Sequence, residues 1–99
     1  MIQHTTERLD RATEYLQQAA HVRGVARGLN DLADYLGDFT PGCDPAREAQ
    51  AIAIATLHQM SSEAAGHAAN LTYRAETLRQ VVERAEEAEA MRELVDEVA

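Results

Sequence analysis

The sequence predicts an all-α protein: two long helices forming an antiparallel helical hairpin, assembled into a four-helix bundle or larger oligomer. Three observations predict it. Large apolar residues recur at spacings of three and four in both halves of the chain. Turn-forming residues cluster only once, from Gly37 to Pro45. No stretch alternates polar and β-branched residues around a two-residue turn, which leaves strands without support.

The first helix is expected over 5–36. Thr5 or Thr6 is positioned to cap it, with Glu7 in its first turn. From Val22 onward the apolar residues run Val22, Val25, Leu29, Leu32, Leu36 and Phe39, a spacing of 3-4-3-4-3 that reads as a coiled-coil-like seam. Ala12 and Ala19 fill the earlier turns of the same face. The loop is expected over 37–44. Gly37 suits the left-handed residue that ends a helix, Pro41-Gly42 suits a type II turn, and Asp44-Pro45 suits an N-cap followed by an N1 proline.

The second helix is expected over 45–98, with a kink or break accommodated at 61–66 by Ser61, Ser62 and Gly66. Its stripe runs Ile52, Leu57, Met60, Ala64, Ala68, Leu71, Ala75, Leu78, Val82, Ala85, then shifts to Val81, Ala88, Val95 and Val98. The whole of 1–99 is one domain, thin in core, since a chain this short buries only about 60–65% of its unfolded surface.

The two helix lengths differ, about 46 Å against about 80 Å at 1.5 Å per residue. Paired as a hairpin, Thr5 falls opposite roughly Thr77, and the rest of the second helix overhangs while keeping its apolar stripe. A lone helix gains little from such a stripe, because helices are stabilised mainly by burying that face. A second copy would cover it through two-fold symmetry. The alternative is a break near 61–66 that folds the chain into three helices.

Composition narrows the function classes. The net charge is −8, which opposes nucleic acid and anionic membrane surfaces as partners. No apolar run is long enough to span a bilayer, and the N-terminus carries no secretory leader pattern. The single cysteine, Cys43, suits a reducing compartment, so a cytoplasmic protein is expected, with leaderless export as an option. All nine basic residues are Arg, which removes any lysine-centred chemistry.

Each candidate site also has a packing role open to it. Gly24 and Gly28, with Ala20, allow close approach of another helix, either as a crossing in the bundle or as a partner groove. Arg23 and Arg27, with His21, form the one basic cluster and are candidates for an anion or partner contact; the competing reading pairs Arg27 with Asp31. His58 and His67 stand about 180° apart on a helix, and the chain holds neither Glu-x-x-His nor His-Glu-x-x-His, so no metal and no cofactor is expected. No nucleophile motif or phosphate loop is present, so no catalytic residue is assigned. The segment from Glu83 to Glu97, with seven acidic residues and two Arg, reads as a solvated end or as an acidic arm for a basic partner.

Two resemblances follow. In length, acidity, Arg-only composition and a central loop between two helices, the chain resembles the small actinobacterial helical-hairpin proteins of type VII secretion. That resemblance implies leaderless export as a partner or oligomer. The family's Trp-x-Gly is replaced by Gly37-Asp38-Phe39-Thr40-Pro41-Gly42, and Tyr73 is followed four positions later by Thr77 rather than an acid. Asp44-Pro45-Ala46-Arg47-Glu48 resembles the start of the second helix in all-helical chorismate mutases. That implies a site gripping two carboxylates, for which the first helix offers Arg8, Arg11, Arg23 and Arg27.

The function expected is a non-enzymatic protein–protein interaction module that self-associates as a homo-oligomer, with a second helical or basic protein as a further partner. Its interface residues are Val22, Gly24, Val25, Gly28, Leu29, Leu32, Leu36, Leu57, Met60, Leu71, Leu78, Val81, Val82 and Val95. The alternatives are an acidic inhibitor, antitoxin or immunity-type protein, and a helical-bundle enzyme with an intersubunit site.

Overall fold

The computed structural model describes residues 2–98, and the side chains of 4–98. It contains two helices, α1 over Ile2–Gly37 and α2 over Asp44–Val98. They pack as an antiparallel hairpin. The molecule measures 84 × 16 × 15 Å. Its radius of gyration is 23.0 Å, against about 13 Å for a compact domain of this length. The 55 residues of α2 account for about 82 Å at helical rise, so α2 is straight and sets the long axis. No break occurs at 61–66, and the three-helix alternative is set aside.

The seam between the helices is made of alanine. On α1 the buried residues are Ala12, Ala19, Ala26 and Ala33, one every seventh position. On α2 they are Ser61, Ala68, Ala75 and Val82, again one every seventh, with Leu71 beside them. This corrects the expected seam. Ala12 and Ala19 do not fill out a Val22–Phe39 stripe; they begin a row of their own. At about 100° per residue, Val22, Val25, Leu29 and Leu32 fall to one side of that row. Val22 and Leu29 close over its edge and are half-buried, whereas Val25 and Leu32 remain 46% and 47% exposed.

The physical reason is backbone approach. Facing alanines let two helix backbones come closer than a leucine seam allows, and the larger side chains then fit only at the rims. Ser61 marks how close they come: its hydroxyl donates to the Ala26 carbonyl of the other helix at 2.8 Å. The serine read as a weak point is therefore a member of the seam, and its buried hydroxyl is satisfied.

Register follows from these pairs. Ala19 packs on Ala68 and Leu71, and Ala26 meets Ser61. At that register Thr5 lies opposite Val82 rather than Thr77. Val82 is buried and Leu78 half-buried, so both belong to the hairpin and not to the overhang. Helix α1 begins before Thr5, so neither Thr5 nor Thr6 is its cap.

The loop end closes differently from the expectation. No glycine has a positive φ among the described residues, so Gly37 is not a left-handed terminator and Pro41-Gly42 is not a type II turn. Instead, Asp38 and Phe39 donate backbone bonds to the Tyr35 and Leu36 carbonyls, tightening the last turn. Gln50 then donates from Nε2 to the carbonyls of Leu36 at 2.6 Å and Phe39 at 2.8 Å. With these carbonyls satisfied, no left-handed residue is required. At the start of α2, Arg47 N donates to the Cys43 carbonyl, which shifts the helix start by one residue. Asp44 sits in the first turn, where its charge suits the helix dipole, and its carboxylate lies 3.8 Å from Arg47.

Gly24 and Gly28 do not meet α2. Each lies about 160° around the helix from Ala26, and a Cβ at either would touch nothing within 4 Å. The hairpin makes no crossing there. Replacing either with Ala should raise stability by about 0.8–1.0 kcal/mol. In thermal melts of a domain this size, each Ala variant should gain roughly 4–8 °C. A loss of stability would place an unseen neighbour against that face.

Candidate functional site

The hairpin has two unlike edges. Along one, Arg23 Nη2 donates to Thr72 Oγ1 at 3.0 Å, and Thr72 in turn donates to the Ala68 carbonyl. His58 Nδ1 and Asn30 Oδ1 lie 3.1 Å apart on the same edge. This edge is closed by polar contacts. Arg23, a candidate for anion contact, is committed to it. Arg27 remains exposed, and no ion pair joins it to Asp31. His21 falls on the opposite edge, so the expected basic cluster is split around the helix.

The other edge is apolar. Val22, Leu29 and Leu36 of α1, and Leu57 and Leu78 of α2, are half-buried along it. Leu71 is buried against α1 and Val82 beneath its first turns, so neither is free to meet a partner. Val25, Leu32, Met60 and Val81 stand outward on this edge. Two shallow, open grooves run across it. One is lined by Gln17, Gln18, His21, Val22, His67 and Leu71, the other by Arg11, Tyr15, Tyr73, Arg74, Thr77 and Leu78. No carboxylate lines either groove.

Beyond Val82 the second helix runs on alone. Every described residue from Glu83 to Val98 is exposed. Met91, Leu94, Val95 and Val98 form one apolar patch at 62%, 56%, 62% and 87% exposure. Their i, i+3, i+4, i+7 spacing puts them on one face. This face is not the continuation of the seam. Carried forward by sevens, the seam positions become Glu89 and Asp96 from Val82, and Arg92 from Ala85. The apolar positions instead carry on from Val81 through Ala88 to Val95. The overhang therefore presents its apolar face well away from the direction in which α1 would lie.

Among the described residues, no three His, Cys, Asp or Glu side chains come together as metal ligands. Cys43 is exposed in the loop with a free thiol. Arg8, Arg11, Arg23 and Arg27 are spread along α1 and do not gather around Arg47 at the loop end of the hairpin. No helix is long and apolar enough to cross a membrane, among the described residues. Compared with protein-family models, curated proteins and solved structures, the chain matches none.

Sequence reasoning missed the alanine row, although Ala12, Ala19, Ala26 and Ala33 recur every seventh position in plain view. It also passed over Met91 and Leu94, which lie outside the stripe traced through Val81, Ala88 and Val95.

Proposed function

We propose that this protein is a non-enzymatic assembly module that associates with a second copy of itself through the apolar edge of the hairpin and the apolar face of the overhang. The observation that carries the reading is surface area. The chain exposes 7659 Å², whereas a folded monomer of 10.9 kDa exposes about 5,600 Å². The excess, about 2,000 Å², exceeds the about 800 Å² per partner that a standard stable interface covers. The exposed large apolar side chains include Val25, Leu32, Met60 and Val81 on the hairpin edge and Met91, Leu94, Val95 and Val98 on the overhang.

The elongated form contributes to that area, but form alone does not place Met91, Leu94, Val95 and Val98 on one face of a solitary helix. Isolated helical ends of this kind are marginal in water unless the face is covered. The type VII secretion resemblance supplies one setting for such a module, as an exported pair. The single exposed Cys43 suits a reducing compartment such as the cytoplasm before any export.

Truncation tests the reading. A chain ending at Val82 keeps the entire alanine seam and should remain a folded hairpin, yet run as a monomer where the full chain is a dimer. Light scattering on both chains reads this directly. Equal masses for the two would remove the overhang from the interface. A full-length monomer that instead captures a basic protein through 83–97 would favour an acidic inhibitor.

A further inference from the structure

The overhang and the apolar edge of the hairpin complement each other in charge as well as in apolarity. The overhang patch is flanked by Glu86, Glu87, Glu89, Glu93, Asp96 and Glu97, opposed by Arg92 alone. The two grooves on the hairpin edge are rimmed by Arg11 and Arg74 in one, His21 and His67 in the other. These complementary surfaces sit on one rigid molecule, since α2 is an unbroken helix over Asp44–Val98. The overhang points away from its own hairpin and cannot reach those grooves.

We infer that each overhang docks across the grooves of a second copy, in a reciprocal antiparallel dimer. This inference rests on the self-association proposed above and specifies its geometry. Seating Met91 and Val95 of one chain against the Arg74–Leu78 stretch of the other, which lines one groove, places the two-fold axis across α2 near 83–86. Two-fold symmetry then repeats the same contact at both ends. Each acidic arm meets the basic rim of its neighbour, which favours this pairing over others and sets its orientation. Joining two overhangs only to each other would bring acid against acid. Val81 lies at the centre of the dimer, and the two Cys43 residues lie at its far ends, more than about 100 Å apart at helical rise.

The geometry fixes the particle length. Two α2 helices overlapping in this way span about 120 Å. Side-by-side hairpins in full overlap would span about 85–90 Å, and overhangs paired tip to tip about 140 Å. Solution X-ray scattering of the full chain, run beside a mass measurement, distinguishes them. Thiol cross-linking with a short bismaleimide gives an independent reading. Val81→Cys in a Cys43→Ser background should yield a covalent dimer, and Ala85→Cys serves as the second variant. The native chain, carrying only Cys43, should yield none.

A dimer near 120 Å that cross-links near the centre and not through Cys43 supports the docking. A dimer of either other length, or one that cross-links through Cys43, overturns the geometry while leaving self-association standing. A monomer at all concentrations overturns both.

Discussion

Replacing Ala19 with Leu should force the two helices apart and destabilise the hairpin by about 1–3 kcal/mol. Ala19 is 0% exposed and packs directly on Ala68 and Leu71. The seam is close here because Ala19 meets Ala68 methyl to methyl, with Leu71 beside them. Three additional carbons have no void to enter, and overpacking of this kind costs about 1–3 kcal/mol. The rest of the core cannot absorb that loss, because apart from Leu71, Val82 and Ser61 it consists of alanines that bury little area each. A thermal melt followed by far-ultraviolet circular dichroism should fall by several degrees to about 20 °C. Ala20→Leu is the control. Ala20 is exposed beside the seam row, so its substitution should change stability by no more than about 0.5 kcal/mol. Equal effects at both positions would refute the alanine seam.

Placing charge in the overhang should have the largest effect on assembly. With Met91 and Val95 both replaced by Glu, the apolar patch loses its centre and gains two negative charges in an already acidic segment. Full burial of a Met or Val side chain is worth about 1.5–3 kcal/mol, and in a two-fold dimer each substitution counts twice. Even partial burial implies a loss of at least ~100-fold in the dimerisation constant, since each tenfold corresponds to about 1.4 kcal/mol. The variant should therefore be a monomer by light scattering at micromolar concentration. Its thermal melt should keep the hairpin transition, because the seam ends at Val82. Residues 83–98 should lose helical content, having no covered face left to hold them.

The architecture was legible because its signals are local. Asp44-Pro45 announces a helix start, and the turn residues between Gly37 and Pro45 admit only one reversal. The overhang was legible from arithmetic on helix lengths. The seam was not. Large side chains dominate any search for apolar periodicity, and Val22, Val25, Leu29 and Leu32 outweigh four alanines. Yet which row faces the other helix depends on how closely the backbones approach, and that is a property of both helices together. The loop detail was missed for a related reason. Gln50 is fourteen residues from the Leu36 carbonyl it caps, and nothing local at Gly37 signals that its carbonyls are already satisfied. Gly24 and Gly28 resembled a packing notch because spacing alone does not say which side of a helix faces its neighbour.

The candidate surface divides the same way. Val25, Leu32, Met60, Val81 and Val95 are legible in the sequence spacing and stand exposed. Leu71 and Val82 share that spacing, but the hairpin consumes them. The grooves rimmed by Arg11, His21, His67 and Arg74 combine residues about fifty or more positions apart in the chain, and only the register of the hairpin brings them together.

The most direct test of this account is the solution mass of the full chain, by light scattering at two concentrations an order of magnitude apart. A self-associated pair has a mass twice the 10.9 kDa of one chain, expected to hold at the higher concentration and to move toward the monomer value only on dilution. A mass of one chain at both concentrations would contradict it and leave the apolar edge and the overhang without the second copy proposed to cover them.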